Sequence, residues 1–150
     1  KPSDKWLTCS YLLILPIHLP FAVNFVKRFP KQNFVIDHLA KPNFKANDFS
    51  EWERGISELA LHKNVYCKVS GMVTEADWKN WKAADFNYCL DVLVSNFGID
   101  RLMFGSDWPV SLLAASYEES TAIVKNYFSK FSRQDQDKIW GANAMKFYNL

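Results

Sequence analysis

Phe34-Val-Ile-Asp37 is a run of strand-forming apolar residues that ends on a charge, and it begins four residues after Pro30. That proline stops the segment before it. Phe21-Ala-Val-Asn-Phe-Val-Lys-Arg-Phe29 follows Pro20, carries Phe21, Val23, Phe25, Val26 and Phe29 as a broad apolar stripe, and places its basic residues in the last turn, so it reads as a helix. Upstream of Pro16, Tyr11-Leu-Leu-Ile-Leu15 is continuously apolar, as expected of a strand buried on both faces. Strand, helix and strand in this order make one parallel crossover unit.

The same alternation continues downstream. Asp48-Phe-Ser-Glu51 has capping-box spacing ahead of Trp52, Ile56, Leu59 and Ala60, which recur at helical intervals. Val65-Tyr-Cys-Lys-Val69 reads as a third strand, with Gly71 available for a tight turn. Thr74-Glu-Ala-Asp77 is expected to cap a short helix bearing Trp78 and Trp81, and Asp85 a longer one that runs to Phe97 and ends at Gly98. Arg101-Leu-Met-Phe104 is the fourth strand. Helices follow over Tyr117 to Lys130, from Ser132 with Asp135 three positions on, and around Asn143 to Tyr148.

Strand starts near residues 11, 34, 65 and 101 leave room for right-handed crossovers, so the class is α/β with four parallel strands. An eight-stranded parallel barrel needs ~250 residues, which makes these 150 residues half of such a barrel or a small open sheet. No linker or repeat divides residues 1–150, and they are treated as one unit.

Composition narrows the function. The chain is 49% hydrophobic and 16% aromatic, enough for a packed core, and its net charge of +2 is spread without a basic block, which argues against nucleic acid as a partner. The longest early apolar run falls short of the ~20 residues that cross a bilayer, so no membrane association is expected. Three widely spaced cysteines, Cys9, Cys67 and Cys89, suit reduced thiols and a cytoplasmic location better than a disulfide framework.

In parallel α/β proteins the chemistry gathers past the carboxyl ends of the strands. Here those positions hold His18, then Asp37-His38, then Lys68 and Ser70, then Gly105-Ser106-Asp107. Imidazole and carboxylate can ligate a divalent metal or serve as acid and base, provided the strands curve enough to bring them together. On spacing alone, His38 equally suits a core histidine bonded to a backbone carbonyl, Asp37 a turn or cap, and Asp107 an Asx turn before Trp108-Pro109. Lys68, inside a strand, requires a partner wherever it is buried.

Four blocks in order are more specific: Phe34-Val-Ile-Asp-His-Leu-Ala-Lys-Pro42, Asn64-Val-Tyr-Cys-Lys-Val-Ser-Gly71, Phe97-Gly-Ile-Asp-Arg-Leu-Met-Phe-Gly-Ser-Asp-Trp-Pro-Val110 and Asn143-Ala-Met-Lys-Phe-Tyr148. Together they resemble the amidohydrolase-related hydrolases, in particular the branch of sugar-lactone and pyrone-dicarboxylate lactonases. The resemblance implies the C-terminal half of a (β/α)8 barrel, with strands five to eight present. It implies hydrolysis of a small cyclic ester of a sugar or dicarboxylic acid. Asp107 takes the place of the residue that activates water, and His38 that of the histidine after strand six.

Lys68, Ser70 and Trp108 are the substrate-binding candidates, and His38, Asp107 and His18 the metal-ligating ones. A divalent metal, zinc first, is the implied cofactor, although the branch includes lactonases that work without one. The His-x-His pair of the superfamily is absent from this chain, so the implied partner is an N-terminal half or a second copy. The competing readings are a non-catalytic half-barrel and a small ligand-binding α/β module.

Overall fold

The computed structural model describes residues 9–150. Strands β1 (Cys9–Leu12), β2 (Asn33–Ile36), β3 (Val65–Val69) and β4 (Leu102–Phe104) lie side by side in chain order, each pair parallel. The helices in chain order are α1 (Leu19–Arg28), α2 (Ser50–Ala60), α3 (Met72–Glu75), α4 (Asn87–Phe97), α5 (Tyr117–Phe128), α6 (Arg133–Asp137) and α7 (Asn143–Tyr148), the last two joined by a π-helical turn. Sequential order with parallel pairing is the winding of a barrel rather than of a doubly wound sheet, and four units make half of a (β/α)8 barrel.

Side chains alternate across the sheet, so its two faces differ. Phe34, Ile36, Val65, Cys67, Val69 and Leu102 face the helices, where they bury Leu19, Val23 and Val26 of α1, Trp52, Ile56 and Leu59 of α2, and Leu90 and Leu93 of α4. Each such side chain is worth ~1.5–3 kcal/mol when fully buried, and this layer carries most of the cohesion. Gly55 lets α1 and α2 close up, since a Cβ there would stand 2.5 Å from Leu19 Cβ. Across the sheet, Val35 and Met103 meet Phe147 of α7, with Tyr66 and Tyr148 packed alongside. Asn143 fastens α7 to the sheet by donating to the carbonyls of Ile99 and Leu102, both at 2.7 Å.

Several expectations shift. The first strand is Cys9–Leu12 rather than 11–15, and it is not buried on both faces: Tyr11, Leu13 and Leu15 are exposed around buried Leu12. Among the described residues β1 pairs with a strand on one side only. The apolar stripe of α1 divides as well. Val23 and Val26 are buried, whereas Phe21 is exposed and Phe25 and Phe29 are half-exposed, with Phe25 edge-on against Phe34.

The capping box at Asp48 does not form. Asp48 instead accepts from the Ser50 N–H and hydroxyl, and the helix begins at Ser50. Trp78 and Trp81 lie beyond α3 rather than on it, and Trp81 Nε1 donates to Ala114 O. Arg101 closes a 3-10 turn instead of starting β4, and its guanidinium donates to the carbonyls of Phe97, His62, Val65 and Asn96.

A candidate active site at the carboxyl ends of the strands

Past β2 the chain does something uncommon for residues with side chains. His38, Leu39, Ala40 and Lys41 all have positive φ, between 48° and 58°. A left-handed residue costs ~1–2 kcal/mol, so four in a row persist only where the surroundings enforce them. The enforcing contacts are identifiable. Ala40 N–H donates to Asp37 O at 3.0 Å and Lys41 N–H to His38 O at 2.7 Å, which closes the turn on itself. Trp52 Nε1 donates to Leu39 O at 2.6 Å, and Lys41 Nζ pairs with Glu75 at 2.5 Å. Gly71 completes the fit: its own φ is +66°, and a Cβ there would lie 2.8 Å from His38 Nδ1.

The imidazole is thereby aimed at the mouth of the sheet. His38 Nδ1 lies 3.0 Å from Ser70 Oγ, while Nε2 faces two carboxylates, Asp37 Oδ2 at 3.5 Å and Asp107 Oδ1 at 3.7 Å. Carboxylates only accept, so this arrangement favours a hydrogen on Nε2, with the Ser70 hydroxyl donating to Nδ1. Asp107, also at positive φ, is tethered through its other oxygen, which accepts from Thr74 Oγ1 at 3.2 Å. Lys68 reaches the same place from β3, with Nζ 3.1 Å from Asp37 Oδ1 and 4.5 Å from the centroid of the Tyr11 ring.

These groups line one cavity of about 560 Å³, with Met103, Phe104 and Tyr148 among its apolar walls. A cavity of about 610 Å³ lies beyond the Thr74–Glu75 segment, lined by Lys41, Lys45 and Trp52; it holds no histidine, and the reactive groups gather in the smaller one.

Of the six residues singled out from sequence, His38, Lys68, Ser70 and Asp107 share this cavity. Trp108 is 62% exposed on the adjacent rim, where its backbone N–H donates to Ser106 Oγ. His18 stands apart, in the 3-10 turn Pro16–His18, with Nδ1 accepting the Leu15 N–H. Asp37, which the sequence places at the rim but equally allows as a turn or cap, pairs with Lys68 and borders His38. Thr74, expected to cap a helix, lies inside α3 instead, and its place in the site depends on the turn at Gly71.

Neither Cys67 nor Cys89 is a candidate nucleophile. Burial, reinforced by the Asp37 charge, pushes the Cys67 thiol far above its ordinary range, and burial pushes Cys89 up to about 12.

The metal-binding expectation meets an incomplete donor set. A catalytic zinc takes three protein ligands, and no cluster of three or more His, Cys, Asp or Glu suited to a metal occurs among the described residues. His38 and Asp107 remain two donors on one cavity wall, and His18 does not join them. The residues present therefore do not by themselves fit a metal centre.

Parallel strands in barrel order, with an imidazole, two carboxylates and an ammonium at their carboxyl ends, define a β/α-barrel protein of the kind that places chemistry on that rim. The family model for amidohydrolases matches residues 11–150, and the chain belongs to that family. It is 40% identical to an L-fucono-1,5-lactonase of Burkholderia multivorans over 149 residues, covering 93% of this chain and 50% of that protein.

Among solved structures, an amidohydrolase from Burkholderia multivorans with bound zinc superimposes with a TM-score of 0.90 at 38% identity, covering 97% of this chain and 55% of that one. A putative 2-pyrone-4,6-dicarboxylic acid hydrolase from Pseudomonas putida shares the fold at 22% identity, with a TM-score of 0.73 over 93% of this chain and 50% of its own. The chain spans about half the length of the curated relatives it matches. No helix among the described residues is long and apolar enough to cross a membrane.

Proposed function

We propose that the protein containing this chain hydrolyses the lactone of a sugar acid, with Asp107 as general base. The observation that carries this reading is the convergence of Asp107 Oδ1, His38 Nε2 and Lys68 Nζ on one cavity at the strand ends. The gap of 3.7 Å between the carboxylate and the imidazole exceeds a direct hydrogen bond and suits a water held beside both groups.

Asp107 takes a proton from that water as its oxygen attacks the lactone carbonyl carbon. Charge develops on the carbonyl oxygen and the Nε2–H of His38 stabilises it, while Lys68 receives a substrate hydroxyl. The ring C–O bond then breaks, and the departing alkoxide takes the proton from Asp107, which gives the open hydroxy acid. Ser70 fixes the imidazole from behind, and Trp108 borders the entrance.

The charge of the site supports a neutral lactone over a dicarboxylate. Two carboxylates, Asp37 and Asp107, face the cavity against one ammonium, Lys68, so this wall repels an anionic substrate. The L-fucono-1,5-lactonase relative agrees in direction. The edge of β1 that no described strand covers and the exposed Phe21 suit pairing with the remaining half of the barrel, whose residues would complete the site.

Replacing Asp107 with Asn in the complete protein tests the assignment. Turnover of L-fucono-1,5-lactone is expected to fall by ~10³-fold or more while the melting temperature holds. Retained activity overturns the role of Asp107, and faster turnover of an anionic lactone than of a neutral one overturns the substrate class.

A further inference from the structure

We infer that Asp37 is a positioning residue that acts through Lys68, holding its ammonium at the cavity wall where a substrate oxygen is received. This inference rests on the lactonase reading for what Lys68 contacts, but not for where Lys68 is held.

The two side chains leave adjacent strands at the same level of the rim and are both largely covered, with 21% of the Lys68 side chain and 17% of the Asp37 side chain exposed. Asp37 Oδ1 is completely shielded from solvent and lacks an aligned hydrogen bond; its neighbour is Lys68 Nζ at 3.1 Å. The contact is thus an ion pair by distance whose N–H groups are not all committed to the carboxylate, and the ammonium keeps donors for the cavity. A lysine carries ~2 kcal/mol of rotamer entropy, and a free one at a barrel mouth would swing into solvent.

Tyr11 supplies the second wall, its ring centroid 4.5 Å from Nζ, but an aromatic face alone holds an ammonium weakly. Burial makes the carboxylate matter more. An ammonium this covered is costly unless a charge answers it, and no other carboxylate is paired with Lys68 among the described residues. The second Asp37 oxygen lies 3.5 Å from His38 Nε2, so the same side chain also borders the imidazole.

A role through Lys68 differs from a role in proton transfer, and a mutant cycle in the complete enzyme separates them. Lys68→Met is expected to raise KM for L-fucono-1,5-lactone by ~10-fold, and Asp37→Asn by ~5-fold, with kcat changed by less than ~2-fold in the latter. The double variant should be no worse than Lys68→Met alone, and Asp37→Glu should recover part of the loss. Multiplying effects, a loss confined to kcat, or an unchanged KM in Asp37→Asn would overturn the inference.

A crystal structure of Asp37→Asn gives an independent reading, with Asp37→Ser replacing it should the first variant fail to fold. Lys68 Nζ is expected to leave the cavity wall, and Nζ in its original place overturns the proposal. Wild-type enzyme inactive on every lactone would remove the lactonase reading, and the position of Nζ would then decide this inference alone.

Discussion

The loops after β2 and β4 both bring a left-handed residue to the rim, His38 at φ 48° and Asp107 at φ 55°, but they are held in place by different means. The first is locked over four residues by packing: Gly71 lies against the ring, Trp52 bonds the turn and Ser70 meets Nδ1. The second has one left-handed residue and one side-chain tether, Thr74 on Oδ2, with the Ser111 N–H closing the turn onto Asp107 O at 2.8 Å. The imidazole is therefore held by close packing with several hydrogen bonds behind it, and the carboxylate side chain by a single hydroxyl. Crowding should disturb the first far more than the second, and removal of a hydrogen bond should do the reverse.

Crowding the first loop gives the largest expected effect. In Gly71→Ala the new methyl would stand 2.8–2.9 Å from His38 Nδ1, Cβ and Cγ, on a backbone at φ +66° that disfavours any side chain. The ring must move by a substantial fraction of an ångström, and a 1 Å misplacement costs ~10²-fold in rate. Turnover in the complete enzyme is expected to fall by about that factor, with a stability loss of ~1–2 kcal/mol in a denaturant melt. Activity that declines only in proportion to the folded fraction would mean that the packed turn does not set the imidazole.

Cutting the tether of the second loop comes next. Thr74 has one hydroxyl hydrogen and two acceptors within reach, Gly71 O at 2.9 Å and Asp107 Oδ2 at 3.2 Å, so it joins the turn after β3 to the carboxylate after β4. Thr74→Val keeps the shape and removes the one hydroxyl hydrogen that the two acceptors share. A ~10-fold fall in kcat is expected with KM nearly constant, and Thr74→Ser should restore the rate. Equal losses in Val and Ser variants would point to lost methyl packing rather than a lost bond.

This contrast also explains what could be read from sequence. β3 was legible to the residue, because Val65–Val69 alternates and is central, with a strand on each side. β1 was displaced by about two residues, because an unbroken apolar run gives no phase and the exposure of Tyr11 and Leu13 depends on neighbours the run does not encode. His38, Lys68, Ser70 and Asp107 were reachable, since each follows or ends a strand and parallel pairing puts strand ends on one rim. The roles of Asp37 and Thr74 are not legible in the sequence, although Asp37 falls at the rim and Thr74 reads as a helix cap. An aspartate before a histidine looks like a turn residue until Lys68 is seen opposite, and the role of Thr74 appears only once Gly71 turns α3 toward β4.

The smallest effect is expected at the end of the packed turn. Lys41 is its last left-handed residue, and its ammonium pairs with Glu75 at 2.5 Å, the two side chains being 31% and 26% exposed. At that exposure the pair is partly screened, and ion pairs near the surface contribute ~0–1 kcal/mol. Lys41→Met keeps the aliphatic stem against its neighbours, so the turn should stand on Trp52, Gly71 and its own backbone bonds. Stability is expected to drop by no more than ~1 kcal/mol and kcat by less than ~2-fold, with the difference from wild type narrowing in ~1 M salt as screening shortens to ~3 Å. A loss as deep as that of Gly71→Ala would reverse the contrast between the loops: the imidazole would then be held at its far end by a charge, and the packing around it would be secondary.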